Sequence, residues 1–252
     1  MFLIAEIGVN HNGRIENAYH LIDAAKDAGA DAVKFQLFES KKLWGDDRIK
    51  HLELKYGDME DLADYCKECG VEFMCTPFGV AELTLLQPLL KRVKVASGFL
   101  NRFQFLEAVA ETHLPVLLST GMSDMVDIEK AVNCFTPDAD LTIMQCTSSY
   151  PCRLEDVNLL AMVDYEKWGA IGLSDHTTSI TVPIAAAALG ASVIEKHFTL
   201  DRNDEGPDHK ASITPKEFKA MHMAIIEVEA ALGDGEKRVM ESEVRLRRLW
   251  KR

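Results

Sequence analysis

Two histidines open the chemical reading of this chain: His176 in "SDH" and His197 in "EKH", 21 residues apart and each beside acidic residues. Two neutral imidazoles supplemented by oxygen ligands suit a divalent transition metal and leave positions open for water and substrate. The plainer alternative is two histidines that bond neighbouring backbone. A second group has a different character. Lys94 and Ser97 in "KVASG", with Thr76, Ser119 and Ser174, supply hydroxyl donors around a cation, and Lys34 adds a second charge. Point charge plus hydrogen-bond donors is the chemistry of a phosphate or phosphonate pocket; alone, each of these residues reads equally as a solvated rim group.

Whether these residues meet depends on the elements that carry them. Short β-rich runs recur at 2–9, 31–38, 71–78, 92–98, 115–121, 141–149, 170–176 and 192–200, separated by segments of helical spacing such as "IENAYHLIDAAKDAG" and "TVPIAAAALG". Gly29, Gly70 and Gly190 fall just before strands, where left-handed helix caps are expected. Eight strand–helix units in a chain of 252 residues predict a single (β/α)8 TIM barrel over residues 1–233, followed by a helical tail at 234–252. A doubly wound open sheet is the alternative, but the chain has no GxGxxG or Walker loop.

One strand–helix–strand step takes about 20–25 residues here, so His176 and His197 are expected at equal heights on the last two strands. The other runs also end in polar residues: Glu6 and "NHN" (10–12); Lys34 and Gln36; Thr76; Lys94 and Ser97; Ser119 and Thr120; Thr147, Ser148 and Tyr150; Ser174 and Asp175; and Glu195. Barrel interiors are normally filled by branched apolar side chains, and unpaired buried charges are costly. Polarity at all eight ends therefore points to an active site at the C-terminal face.

Bulk properties narrow the partners. With 28 basic and 40 acidic residues the net charge is −12, which argues against nucleic acid and membrane surfaces. Six cysteines are scattered, and "CKEC" at 66–69 has no second pair at zinc-site distance, so reduced thiols in a cytoplasmic protein are expected. The N-terminal "MFLIAEIGVN" reads as a strand and not as a signal peptide.

The motifs "IAEIGVNHNG", "DAGADAVKFQ", "CTPF", "STGM", "CTSSYP", "GLSDHT", "EKHFTLDR" and "GPDH" resemble, in order, those of the sialic acid synthases. These are the N-acetylneuraminate synthases and their legionaminate, pseudaminate and spore-coat polysaccharide relatives. The resemblance implies a (β/α)8 catalytic barrel that condenses phosphoenolpyruvate with an N-acetylated, N-acetylmannosamine-like aldose, releasing phosphate. It implies a divalent ion on His176 and His197, manganese first, with magnesium or cobalt as alternatives. Glu195 would reach that ion through water or act as an acid/base group. Lys94, Ser97, Thr76 and Ser174 would hold the phosphate and carboxylate, with Lys34 nearby; Ser119 and Ser148 belong to the same substrate pocket. Glu6, Gln36, Tyr150 and Asp208 would face the sugar.

Three departures qualify the likeness. Phe99 in "SGFL" stands where relatives carry glutamate, and Ser148 where some carry asparagine. The chain ends in "RLRRLWKR" at about the point where most relatives continue into an antifreeze-like domain. A homodimer is expected by analogy, with a separate partner chain as a source for that domain's arginine. Two alternatives remain open: the same chemistry on another aldehyde or a sugar phosphate, and a non-catalytic ligand-binding relative.

Overall fold

The computed structural model describes residues 1–250; Lys251 and Arg252, the end of the expected tail, lie outside the described residues. Eight parallel strands form one sheet: β1 (Phe2–Gly8), β2 (Ala32–Leu37), β3 (Glu72–Pro77), β4 (Val93–Val95), β5 (Val116–Ser119), β6 (Leu141–Cys146), β7 (Ala170–Asp175) and β8 (Val193–His197). Their hydrogen-bonded order is β3-β2-β1-β8-β7-β6-β5-β4, and the two end strands β3 and β4 lie side by side, closing a (β/α)8 barrel. This is the expected fold. The expected cap glycines, Gly29, Gly70 and Gly190, all have positive φ.

Strand parity decides what each residue does. Inward-facing Ile4, Ala32, Met74, Leu117, Met144 and Val193 pack into an apolar plug inside the barrel. Two residues further along the same strands stand Glu6, Lys34, Thr76, Ser119, Cys146 and Glu195. The inner wall thus changes from hydrocarbon to charge within one period of the pleat. The alternate residues, including Leu3, Ala5, Val33, Phe35, Ile143 and Leu173, point outward into the main core beneath the helices.

The helices bury the stripes that their spacing dictates. In α1 (Ile15–Asp27), Ala18, Leu21, Ile22 and Ala25 are buried, the i, i+3, i+4, i+7 pattern of one apolar face. The short α2 (Ser40–Trp44) follows β2, and α3 (Tyr56–Cys69) completes that crossover. Next come α4 (Val80–Leu86), α5 (Phe103–Ala110), α6 (Met125–Val132) and α7 (Thr181–Ala188). In α8 (Pro215–Leu232), Pro215 occupies the first turn and Glu217 accepts from the Thr214 backbone N–H at 2.8 Å, a capping box. A last helix, α9 (Val244–Trp250), is exposed.

One crossover departs from the repeating pattern. Between β6 and β7 the chain makes 3-10 turns at Leu154–Asp156 and Leu159–Trp168, not an α-helix. Only Met162 and Tyr165 are buried in the longer turn, and Asn158 enters it in the left-handed region. With so narrow an apolar stripe, little packing favours a regular helix.

Phe198, just past β8, is fully buried with its ring 5.7 Å from that of Phe218 on α8, edge-to-face. Phe198→Ala should cost about 3–5 kcal/mol, read as a lowered denaturant midpoint with unchanged m-value.

Candidate functional site

The C-terminal ends of the strands surround a cavity of about 560 Å³. Glu6, Lys34, Gln36, Thr76, Lys94, Ser97, Ser119, Ser148, Tyr150, Ser174, His176, Glu195, His197 and Asp208 all line it. Sequence parity brings these residues together; their bonding then divides them into groups.

At the floor is an ionic cluster. Lys34 Nζ lies 2.7 Å from Glu6 Oε2 and 3.6 Å from Glu195 Oε2, and donates to Thr76 Oγ1 at 2.9 Å. Lys94 Nζ lies 3.4 Å from Glu195 Oε1, which also accepts from Ser174 Oγ at 2.9 Å. The register of β1, β2 and β8 dictates the meeting, since Glu6 pairs with Lys34 on one side and His197 on the other. The two carboxylates diverge electrostatically. Burial raises Glu6 to about 7, against the attraction of Lys34 and with repulsion from Glu195. Burial acts on Glu195 too, but Lys34 and Lys94 together hold it down at about 2. One is a proton carrier near neutrality and the other a fixed anion.

Glu6, Gln36 and Asp208 converge around Gly8. Gln36 Nε2 donates to Glu6 Oε1 at 2.9 Å, and a Cβ on Gly8 would stand 3.3 Å from a polar atom of each of the three side chains. Gly8 also has φ +55, so glycine suits the turn and leaves the space open. Burial raises Asp208 to about 6.

Across the mouth, Gly121 anchors a hydroxyl cradle. Its N–H donates to Ser97 Oγ at 3.0 Å, and a Cβ there would lie 2.2 Å from Ser148 Oγ and 2.8 Å from Ser97 Oγ. Ser119 Oγ, on the strand below, is buried without a hydrogen-bond partner. Converging hydroxyls, an orphaned donor and the Lys94 ammonium make a site for an oxyanion.

The imidazoles of His176 and His197 lie 5.4 Å apart between centroids, with the Tyr150 ring 4.1 Å from His176 and 5.6 Å from His197. His176 Nδ1 bonds the Thr147 carbonyl at 2.8 Å; a carbonyl only accepts, so Nδ1 carries the proton and Nε2 keeps its lone pair. His197 Nδ1 is buried without a hydrogen bond, 3.7 Å from Asp208 Oδ2. Burial, with His176 and Lys34 nearby, pushes His197 well below the usual histidine range, so it is neutral. Burial opposes charge on His176, but its contacts with Cys146 and the Thr147 carbonyl raise it above the usual histidine range; with both rings neutral, their free nitrogens fit a divalent ion completed by water and substrate. Among the described residues no three His, Cys, Asp or Glu side chains gather as a closed metal site.

Several rim candidates face elsewhere. Thr120 donates to the Met144 carbonyl and Thr147 to the Asp156 carbonyl. Asn10 bonds the Phe198 carbonyl and Ser212 Oγ, tying the β1 and β8 loops together. Asp175 points out of the barrel, where parity places it, and meets the fully buried Lys196 at 2.6 Å. Lys196 also bonds Thr177, so this clamp ties together the segments bearing His176 and His197. Thr76 and Ser174 do line the mouth; Thr76 Oγ1 accepts from Lys34 and keeps its own hydroxyl proton, whereas Ser174 donates to Glu195. Phe99 is turned from the mouth: it is buried against Phe78 (5.5 Å) and Phe105 (5.1 Å), and Arg102 covers its ring at 4.1 Å.

The sequence reading passed over several residues of the site. Cys146 lines the mouth with its thiol 3.4 Å from Ser97 Oγ and 3.8 Å from His176 Nδ1. Strand parity on β6 would have found it. Trp44 and Arg48 also line the mouth, from the loop after β2. No periodic pattern marks the "WGDDR" stretch.

A parallel barrel whose C-terminal face holds a cavity lined by ionic, hydroxyl and imidazole groups has the layout of a barrel enzyme. The chain belongs to the NeuB family, whose profile matches residues 21–237. It is 39% identical to the N,N'-diacetyllegionaminic acid synthase of Campylobacter jejuni, over 96% of this chain and 80% of that protein. It is 35% identical to the N-acetylneuraminate-9-phosphate synthase of Mus musculus, over 96% and 74%. The crystal structure of the N-acetylneuraminic acid synthetase of Leptospira borgpetersenii superposes with a TM-score of 0.94 at 33% identity, covering 99% of this chain and 91% of that one. The chain is accordingly an enzyme of the sialic-acid-synthase type. Among the described residues no helix is long and apolar enough to cross a membrane.

Two measurements follow from the site. Glu6 is raised in the folded state, so its protonated form contributes stability that is complete below about pH 4.5 and lost as pH rises through about 7. Glu6→Gln stays neutral throughout, so the variant's Tm relative to wild type should rise between pH 5 and pH 8. Lys196→Met leaves the buried Asp175 carboxylate unpaired and should cost about 3–5 kcal/mol, while Asp175→Asn with Lys196→Met should cost clearly less; urea titration checks both.

Proposed function

We propose that the protein condenses phosphoenolpyruvate with an N-acylated aldose to form a sialic-acid-like 2-keto sugar acid, with release of phosphate. The observation that carries this reading is the pairing, in one mouth, of an oxyanion cradle with an open two-histidine centre. The family membership supports the same chemistry.

In this reading Lys94, Ser97, Ser119, Ser148 and the Gly121 turn hold the phosphate, and Lys34 faces the carboxylate. The enol carbon attacks the aldehyde carbon and forms the new C–C bond; water adds to the cationic C2, and collapse of that tetrahedral carbon expels phosphate. The aldehyde oxygen gains a proton in the process. Glu6, raised to about 7 and beside Gln36 and Asp208, is the group placed to deliver it. Glu195 stays ionised and keeps the two lysines in place. His176 and His197 would hold a divalent ion, manganese with magnesium or cobalt as alternatives, which would supply Lewis acidity toward the aldehyde. The apolar plug below keeps water from entering except through the mouth.

The test is phosphate release from phosphoenolpyruvate across a panel of N-acetylated aldoses with manganese. Release is expected with at least one aldose, and loss is expected with chelator and in His176→Ala. Gly121→Ala should raise KM for phosphoenolpyruvate, because the added methyl enters the cradle, while KM for the aldose holds. Absence of release across the panel would refute the synthase reading.

A further inference from the structure

The mouth is two-sided in its chemistry. The floor and the β4–β8 side carry the charged and hydroxyl groups, whereas the β1–β3 side rises into an apolar wall: Val9, Phe38, Leu43, Ile49, Leu52 and Phe78. On top of that wall stands Trp44, more than half exposed (56%) although it lines the cavity. A large aromatic surface left open at a cavity mouth is a contact surface for a ligand.

This wall is built. Ser40 is fully buried; its hydroxyl donates to the Asp46 carbonyl at 2.8 Å and accepts from Ile49 N–H, while its own N–H donates to Glu53 Oε1 at 2.6 Å. Leu43 and Ile49 pack on the Val9–Phe38–Leu52 cluster, which fixes the underside. Trp44 ends α2, and Gly45 turns the chain in the left-handed region immediately after it. Arg48 approaches the indole, its guanidinium carbon 5.6 Å from the ring centroid. Asp46 holds that guanidinium through Nε at 2.8 Å and Nη2 at 2.7 Å.

Counting charges then selects the ligand. Among the described residues the lysines and arginines lining the mouth are Lys34, Lys94 and Arg48. In the reading above the first two serve the phosphate and carboxylate of phosphoenolpyruvate, and the third is neutralised by Asp46. A second phosphate, carried by the acceptor, would find no uncommitted lysine or arginine among the described lining residues and would approach Glu6 and Asp208 in a chain of net charge −12. An uncharged acceptor meets no such penalty.

We propose that Trp44 selects the acceptor: an uncharged N-acylated aldose packs its C–H face and acyl methyl against the indole, and sugar phosphates are rejected. Arg48 lies beside the ring. The inference rests on the synthase reading and adds to it the identity of the discriminating surface. Aromatic rings take C–H faces of sugars through dispersion and the quadrupole of the ring, at low cost in side-chain entropy.

The experiment is steady-state phosphate release by wild type, Trp44→Ala and Trp44→Phe, with N-acetylmannosamine, its 6-phosphate and the best aldose of the panel. Trp44 is exposed, so both variants are expected to fold. For the uncharged aldose, Trp44→Ala should raise KM about tenfold, with kcat and KM for phosphoenolpyruvate within about twofold, and Trp44→Phe should restore most of the loss. Wild type should use the 6-phosphate at least about tenfold less efficiently in kcat/KM than the uncharged sugar. An unchanged acceptor KM in Trp44→Ala, or a preference for the 6-phosphate, overturns the proposal while leaving the synthase reading standing. If wild type turns over no aldose at all, the synthase reading falls and this inference falls with it.

Discussion

The ammonium group of Lys34 lies almost fully inside the barrel, bonded at once to Glu6 on β1, Thr76 on β3 and, at longer range, Glu195 on β8. A charge in such a place is tolerated only when its partners are fixed around it. Those partners come from β1, β3 and β8, with Lys34 itself on β2, so they meet only once the barrel has closed. The apolar plug of Ile4, Ala32, Met74, Leu117, Met144 and Val193 supplies the closing force beneath it. Charge above and hydrocarbon below are therefore one arrangement. The plug sets the barrel, and the barrel makes the buried cation bearable.

From that cation the division of labour at the mouth follows. Lys34 and Lys94 lie near Glu195 and hold it ionised, and an ionised Glu195 in turn helps to raise Glu6. His197, beside the same positive charges and fully buried, stays neutral and keeps its nitrogen free. A carboxyl that titrates near neutrality, a fixed anion and a neutral imidazole thus arise from one cluster and its unequal spacing.

Much of this was legible beforehand. The eight runs, the polar residue two places beyond each apolar one, and the spacing of His176 and His197 are all periodic features, and period is what sequence displays. Three things were hidden. Parity within a rim tripeptide sends Asp175 outward to Lys196 and keeps Ser174 and His176 inward, a distinction blurred by reading "SDH" as a unit. Distances across strands decide that Thr76 accepts from Lys34 and that Ser174 donates to Glu195. The conformation of the short loop after β2, which raises Trp44 and Arg48 into the mouth, follows from the buried Ser40 and not from any pattern. Phe99 belongs with these: a departure from the family pattern at an apparent site position proves to be a packing choice, with its ring in a stack of three phenylalanines capped by Arg102.

The plug has one more consequence. Because it fills the barrel from below, the polar groups above it lie on the side of the mouth. In the proposed reaction, two substrates filling the mouth would stand between the solvent and the carboxyls of Glu6 and Asp208.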